Sequence, residues 1–276
     1  MSFDQFKQAI DSMEFFPGIT GLIGGEPLLH PKFSEFCEYA LSKIPREQLG
    51  LMSCFPKGYE HYREIICKTF ENIYLNDHSR TDIYHCPILV AIEEVEPDPK
   101  KMFLYIDHCW VQDKWSASIN PKGAFFCEVA GALAVLFETD GAWPVEPHWF
   151  TRTTKDFTSQ IEEYCPKCGC AAPLPRRISI DGRDDISPGN LKRLDGRSIK
   201  IKKGNYVVSD LLRVETPEDM WKYQSHDYRN AIAARYGIYL TIKEDSFHEP
   251  HLMKKDFFPK KSIFEQLCEK YGRVNQ

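Results

Sequence analysis

Ile23-Gly24-Gly25-Glu26-Pro27-Leu28-Leu29-His30-Pro31 is the stretch that decides how this chain reads. Ahead of it, Ile19, Leu22 and Ile23 suit a short buried strand. Behind it, Phe33, Phe36, Cys37, Ala40, Leu41 and Ile44 recur at helical spacing until Pro45 closes the run. Paired glycines at a strand-to-helix junction let the backbone come close to a ligand, and Glu26 adds a carboxylate at the mouth of the turn. The same residues also fit a tight loop carrying an exposed acid.

Working outward, strands and helices keep alternating. Residues 49–52 read as a short strand, 59–71 as a helix with Tyr62, Ile66 and Phe70 inward, and 73–75 as another strand. Two apolar runs, 87–92 and 102–106, then have the length of buried strands. This order predicts an α/β fold with a parallel sheet or a partial (β/α) barrel. Upstream of the glycine turn, Ser2-Phe3-Asp4-Gln5 is a capping-box pattern that opens a helix over 3–14. The chain therefore starts on a helix, and the barrel reads as lacking its first strand.

The 276 residues are 42% hydrophobic, enough for one large domain or a domain with an appendage. A formal net charge of −5 provides no basic face for nucleic acid. No secretory pattern follows Met1, and no apolar run approaches the roughly 18 residues that span a bilayer. The expectation is a cytoplasmic protein with neither nucleic acid nor membrane as partner. In that setting the ten cysteines are not a disulfide framework. Cys37, Cys67 and Cys268 read as small buried hydrophobes on helical faces.

The texture changes at Cys109. Residues 110–126 read as a β-hairpin around the turn Asn120-Pro121-Lys122-Gly123, with Cys109 and Cys127 at its two ends. A helix over 128–137 follows, then an irregular stretch over 140–158 in which Trp143 and Trp149 are packing residues. Cys165-Pro166-Lys167-Cys168-Gly169-Cys170 comes next. Cys109, Cys127, Cys165 and Cys168 are separated by seventeen, thirty-seven and two residues. Four thiolates make a closed soft shell that suits zinc or an iron–sulfur cluster. Cys-Pro-Lys-Cys-Gly alone is a zinc-knuckle sequence, whereas the first pair is too wide for a second knuckle. Cys170 is either a substitute for Cys168 or an unused thiol. Residues 171–205 read as loop and short turns, and Thr216-Pro217 starts a helix that Gly237 stops. The predicted division is 1–108, a partial barrel; 109–170, a small hairpin-and-helix metal domain; and 171–276, an α-containing C-terminal extension.

Gly24-Gly25-Glu26-Pro27 at a strand end resembles the S-adenosylmethionine-binding turn of radical SAM enzymes. A hairpin with its glycine turn before Cys127, followed by Cys165-x-x-Cys168, resembles that family's twitch domain, the short form of the SPASM module. The resemblance covers residues 1–170. It implies that Gly24, Gly25, Glu26 and Pro27 hold the amino group of the methionine moiety of SAM. It further implies that Cys109, Cys127, Cys165 and Cys168 hold an auxiliary [4Fe-4S] cluster, and that the partners are an unidentified substrate and a reductant such as a flavodoxin or ferredoxin. Asn76 and Asp77 read either as a solvated turn or as reaching the SAM ribose, and His108 as a neighbour of Cys109. One departure from the pattern is that three residues, not four, separate Gly123 from Cys127. The family's Cys-x3-Cys-x2-Cys loop, whose cluster cleaves SAM, does not occur in this sequence. The expectation is a radical SAM iron–sulfur enzyme, or an N-terminally truncated remnant of one, that does not perform radical chemistry alone. No catalytic residue is assigned. The alternative is a non-catalytic, zinc-stabilised α/β binding or interaction protein.

Overall fold

Helix α1 (Phe3–Asp11) begins as its capping box dictates: the Gln5 N–H donates to Ser2 Oγ over 3.2 Å, and the Ser2 N–H donates to the Gln5 side chain over 2.9 Å. The computed structural model describes residues 1–75, 84–107, 109, 111, 117–152, 154–172 and 174–211. Asn76, Asp77, His108, Cys268, the helix expected from Thr216 and the outer part of the expected hairpin lie outside the described residues.

The described residues form two compact units, 1–75 with 146–148, and 84–145 with 149–211. In the first unit, β1 (Thr20–Leu22), α2 (Phe33–Lys43), β2 (Leu49–Ser53), α3 (Arg63–Thr69) and β3 (Asn72–Leu75) follow one another. The strands lie parallel in the order β1-β2-β3, with Leu22 beside Leu51 and Leu51 beside Ile73. Each parallel step is crossed by a helix, as parallel pairing requires. Helix α2 buries Phe33, Phe36, Cys37 and Ala40, and Phe36 stacks on Phe6 of α1 with ring centroids 4.0 Å apart. Each large apolar side chain so buried contributes roughly 1.5–3 kcal/mol. Cys37 is a packing residue, as its helical position predicts, and burial pushes its thiol up to about 12.

The second unit contains β4 (Tyr84–His85), α4 (Ile92–Val95), α5 (Pro99–Asp107), β5 (Ser118–Asn120), β6 (Gly123–Phe125) and α6 (Glu128–Phe137). It continues with α7 (Thr154–Tyr164), β7 (Arg177–Ile178), β8 (Asp184–Ile186), α8 (Pro188–Arg193), α9 (Ile199–Lys202) and β9 (Tyr206–Val208). β5 and β6 form the expected antiparallel hairpin; β4 pairs antiparallel with β7, and β8 parallel with β9. The fold is mixed α/β with small parallel and antiparallel sheets. No helix among the described residues is long and apolar enough to cross a membrane.

Four local expectations are corrected. Residues 102–106 lie inside α5, not in a strand: Asp98 accepts from the Lys100 N–H over 2.9 Å, and Pro99 occupies the first helical position. Residues 87–91 form a loop with a single bridge from Leu89 to Ile186. Helix α7 runs from Thr154, inside the stretch expected to be irregular, because its apolar face is completed by Ile161 and Tyr164 beyond that stretch. Residues 171–205, expected as loop, carry β7, β8, α8 and α9.

Candidate functional site

The glycine turn follows β1 at the carboxyl edge of the parallel strands, the edge where open α/β sheets bind ligands. Gly24 and Gly25 are exposed, and a Cβ built on either meets nothing within 4 Å. Neither lies in the left-handed region, so the fold itself makes no demand for glycine at these two positions. Ile23 and Leu29, also exposed, flank the turn. Pro27 starts a single 3-10 turn (Pro27–Leu29) for which Glu26 is the cap.

The Glu26 carboxylate is half-buried and turned inward. Its Oε1 accepts from the Leu28 N–H over 3.1 Å and from Ser53 Oγ over 2.6 Å, and its Oε2 accepts from the Cys54 N–H over 2.8 Å. Burial pushes its carboxyl up, but hydrogen bonds from Cys54, Ser53 and Leu28 outweigh that and hold it below its ordinary value. An ionised carboxylate therefore sits beneath an open glycine turn. Ser53 and Cys54, at the end of β2, belong to this arrangement, and no local sequence signal marks them. A separate groove of about 620 Å³, lined by Ile10, Phe15, Thr20, Lys43, Pro45 and Gln48, opens by the starts of β1 and β2.

In the second unit three of the four predicted cysteines share one apolar core, and the fourth lies against the adjoining cluster. Cys109, Cys127, Cys168, Cys170 and Cys86 pack with Phe125, Val129, Leu133 and Tyr164, and Cys165 lies against the adjoining cluster around Ile92 and Ile161. Cys109 follows α5, its N–H donating to Ile106 O over 3.1 Å. Cys127 caps α6. Gln160 of α7 fixes the intervening hairpin: it accepts from the Phe126 N–H over 3.0 Å and donates to Ala124 O and Gly141 O over 3.1 and 2.9 Å. Cys165 opens a tight 3-10 turn closed by the Cys168 N–H on Cys165 O at 3.1 Å.

Burial pushes the Cys109 and Cys165 thiols far up, and each is raised further by Cys168 and by the other hairpin or knuckle thiols. Burial likewise pushes Cys127 up to about 12, with Cys168 adding to the effect. Hydrogen bonds with Cys168 and Cys86, and then burial, raise Cys170. Thiols are soft donors. None of the nine described cysteines is in a disulfide. Among the described residues, no three His, Cys, Asp or Glu side chains form a ready-made metal-holding group. The donor chemistry fits a thiophilic metal or cluster, while the sulfurs are gathered without being closed into a shell. Glu128, the residue after Cys127, is raised by burial to about 7.

Sequence reasoning missed Cys86. Its thiol reaches Gly169 O over 3.7 Å although the two residues are 83 positions apart, and no spacing rule links a lone Cys-Pro to a distant knuckle.

Compared with known proteins, the chain matches no family model, no curated protein and no solved structure.

Proposed function

We propose that this chain is an iron–sulfur protein of the radical SAM type. On this reading residues 1–108 are part of a (β/α) barrel that binds the amino end of SAM at Gly24, Gly25, Glu26 and Pro27. Residues 109–170 are a twitch-like domain holding an auxiliary [4Fe-4S] cluster on Cys109, Cys127, Cys165 and Cys168. The observation that carries the reading is the gathering of Cys109 and Cys127, from the two ends of a hairpin, into one core with Cys168, while Cys165 packs against the adjoining cluster.

The glycine turn supports the SAM assignment in two ways. An ammonium group is stabilised by a carboxylate kept ionised by hydrogen bonds, as Glu26 is. Glycines that the fold does not require leave room for close approach of a ligand to the backbone. A bound iron–sulfur cluster would supply electron transfer, with a flavodoxin or ferredoxin as reductant in the cytoplasm. The chain's own part is to supply four thiolates, exclude water with Phe125, Val129 and Leu133, and give up the thiol protons on loading. Closing the shell needs thiol side chains to turn between staggered wells. SAM cleavage is not proposed for these residues alone, because they contain no Cys-x3-Cys-x2-Cys.

A second reading, a zinc-stabilised non-catalytic binding protein, is favoured by the tight Cys165–Cys168 turn, which is a knuckle geometry that suits zinc. Metal analysis separates the two. Anaerobically purified or reconstituted protein is expected to carry about four iron and four sulfide per chain and to bind SAM by calorimetry. One zinc without sulfide, in a colourless protein, replaces the first reading with the second.

A further inference from the structure

The groove by the starts of β1 and β2 lies at the edge of the parallel strands opposite to the glycine turn, and neither the SAM nor the cluster assignment uses it. Its lining is largely apolar: Ile10 of α1 and Ile44, which follows α2, are buried there, and Met13 and Pro45 line it with them. The turn that leaves α1 forms one rim. There the Glu14 N–H donates to Asp11 O over 3.4 Å and the Phe16 N–H to Met13 O over 2.9 Å. Between them Phe15 takes a left-handed φ of 64°, which a bulky residue rarely adopts. Its phenyl ring runs nearly parallel to the His148 ring at 6.3 Å, and the residue is left 78% exposed. The charges at the groove are unequal. Lys43 Nζ lies 3.4 Å from Asp11 Oδ1, and the Tyr39 hydroxyl donates to the same carboxylate over 2.8 and 2.9 Å. Lys43 and Asp11 therefore offset each other, while Glu14, exposed at the same groove, has no ion pair among the described residues.

We propose that this groove binds a small aromatic amine, a flat apolar body carrying one ammonium group. The volume of about 620 Å³ falls within the range of sites for small molecules. An exposed phenyl ring is a surface on which an aromatic body stacks and over which a cation is attracted, and Phe15 presents one at the rim. Glu14 supplies the net negative charge that an ammonium group answers. Thr20 and Gln48, by the starts of the two strands, add a hydroxyl and an amide to the lining, both able to accept from an ammonium N–H. An anion is disfavoured, because Lys43, the cation of the lining, is already paired with Asp11. A neutral body of the same shape makes the apolar contacts and gains nothing from Glu14. The inference does not rest on SAM or on metal, since every group that it assigns to the ligand belongs to α1, the turn after it, or the starts of β1 and β2.

The test titrates the full chain with three probes that share one indole body: tryptamine, a cation; tryptophol, neutral; and indole-3-acetate, an anion. Calorimetry gives the affinities, and methyl NMR of Ile10 and Ile44 locates the site. The expected order is tryptamine, then tryptophol, then indole-3-acetate, with about tenfold between the first and the last, and tryptamine is expected to shift both isoleucine methyls. Glu14→Gln should weaken tryptamine by about threefold and leave tryptophol unchanged, which separates the charge from the fold. Phe15→Ala should weaken both. Circular dichroism checks that each variant is folded. No binding of tryptamine, equal affinity for the three probes, or undiminished tryptamine affinity in either folded variant would overturn the proposal. Tryptamine binding that survives Glu14→Gln but is lost in Glu26→Gln would also overturn it, by placing the amine at the glycine turn. A protein that binds tryptamine in the expected way but neither SAM nor iron leaves this proposal standing and removes the radical SAM reading.

Discussion

The Ser53 hydroxyl donates to Glu26 Oε1 over 2.6 Å, tying the end of β2 to the glycine turn that follows β1. Ser53 is buried and accepts from the Phe55 N–H over 2.9 Å at the same time. Removing it strips a donor from a carboxylate and a partner from a backbone N–H. Ser53→Ala is expected to lower stability by about 1.5–3 kcal/mol in urea unfolding, and Ser53→Thr to restore most of the loss. An unchanged midpoint in the alanine variant would mean that the clasp contributes nothing.

The sign of the Glu26 contribution with pH follows from its depressed carboxyl. A group whose folded-state value lies below its unfolded value stabilises the fold above the unfolded value, and that stability is lost as pH falls through the folded value. The stability difference between wild type and Glu26→Gln should therefore be full at neutral pH and shrink as pH drops below the ordinary value of 4.5. Urea titrations at neutral and acid pH check this; a difference independent of pH contradicts it.

Gly169 and Gly24 are predicted to respond oppositely to alanine. At Gly169 the new methyl meets the Pro87 carbonyl, and the loop carrying Cys86 must move, so Gly169→Ala should cost more than about 3 kcal/mol. At Gly24 the methyl meets open space at a φ outside the left-handed region, so the change in stability should stay within about 1 kcal/mol. SAM binding, measured by calorimetry, should nevertheless weaken at least tenfold, about 1.4 kcal/mol, in Gly24→Ala. Undiminished SAM affinity there removes the turn from the proposed site.

Cys109 and Cys37 are both buried, and only one is predicted to hold metal. Cys109→Ser should abolish stoichiometric metal while leaving the fold of residues 1–75 intact by hydrogen exchange. Cys37→Ala should retain all of the metal and lose about 1–2 kcal/mol through the cavity it leaves in the first core. Equal metal retention in the two variants counts against the four-thiol assignment.

Much of the local structure was legible because it rests on neighbours in sequence. The Ser2–Gln5 capping box, the apolar stripe of α2, the hairpin turn before Gly123 and helix α6 with its limits at Glu128 and Phe137 are all set by residues a few positions apart. The run 102–106 was not legible. Five apolar residues satisfy a buried strand and one face of a helix equally, and the choice fell to Asp98, Pro99 and the partners that Met102, Phe103 and Ile106 find in the core. Helix α7 was hidden for a related reason: its anchors Ile161 and Tyr164 are useful only when the hairpin and α6 are already beside them.

The amino-acid order alone supplies the chemistry on offer: a glycine turn with a carboxylate after a short strand, and soft thiols spaced too widely for one zinc ribbon. Only the tertiary structure decided where those groups go. Glu26 is turned toward Ser53 and Cys54 because β2 lies parallel to β1, which brings the two strand ends to the same edge. Cys86 joins the knuckle thiols because Gly169 lacks the Cβ that would hold Pro87 away. Contacts across tens of residues depend on shape and burial, which sequence spacing does not carry.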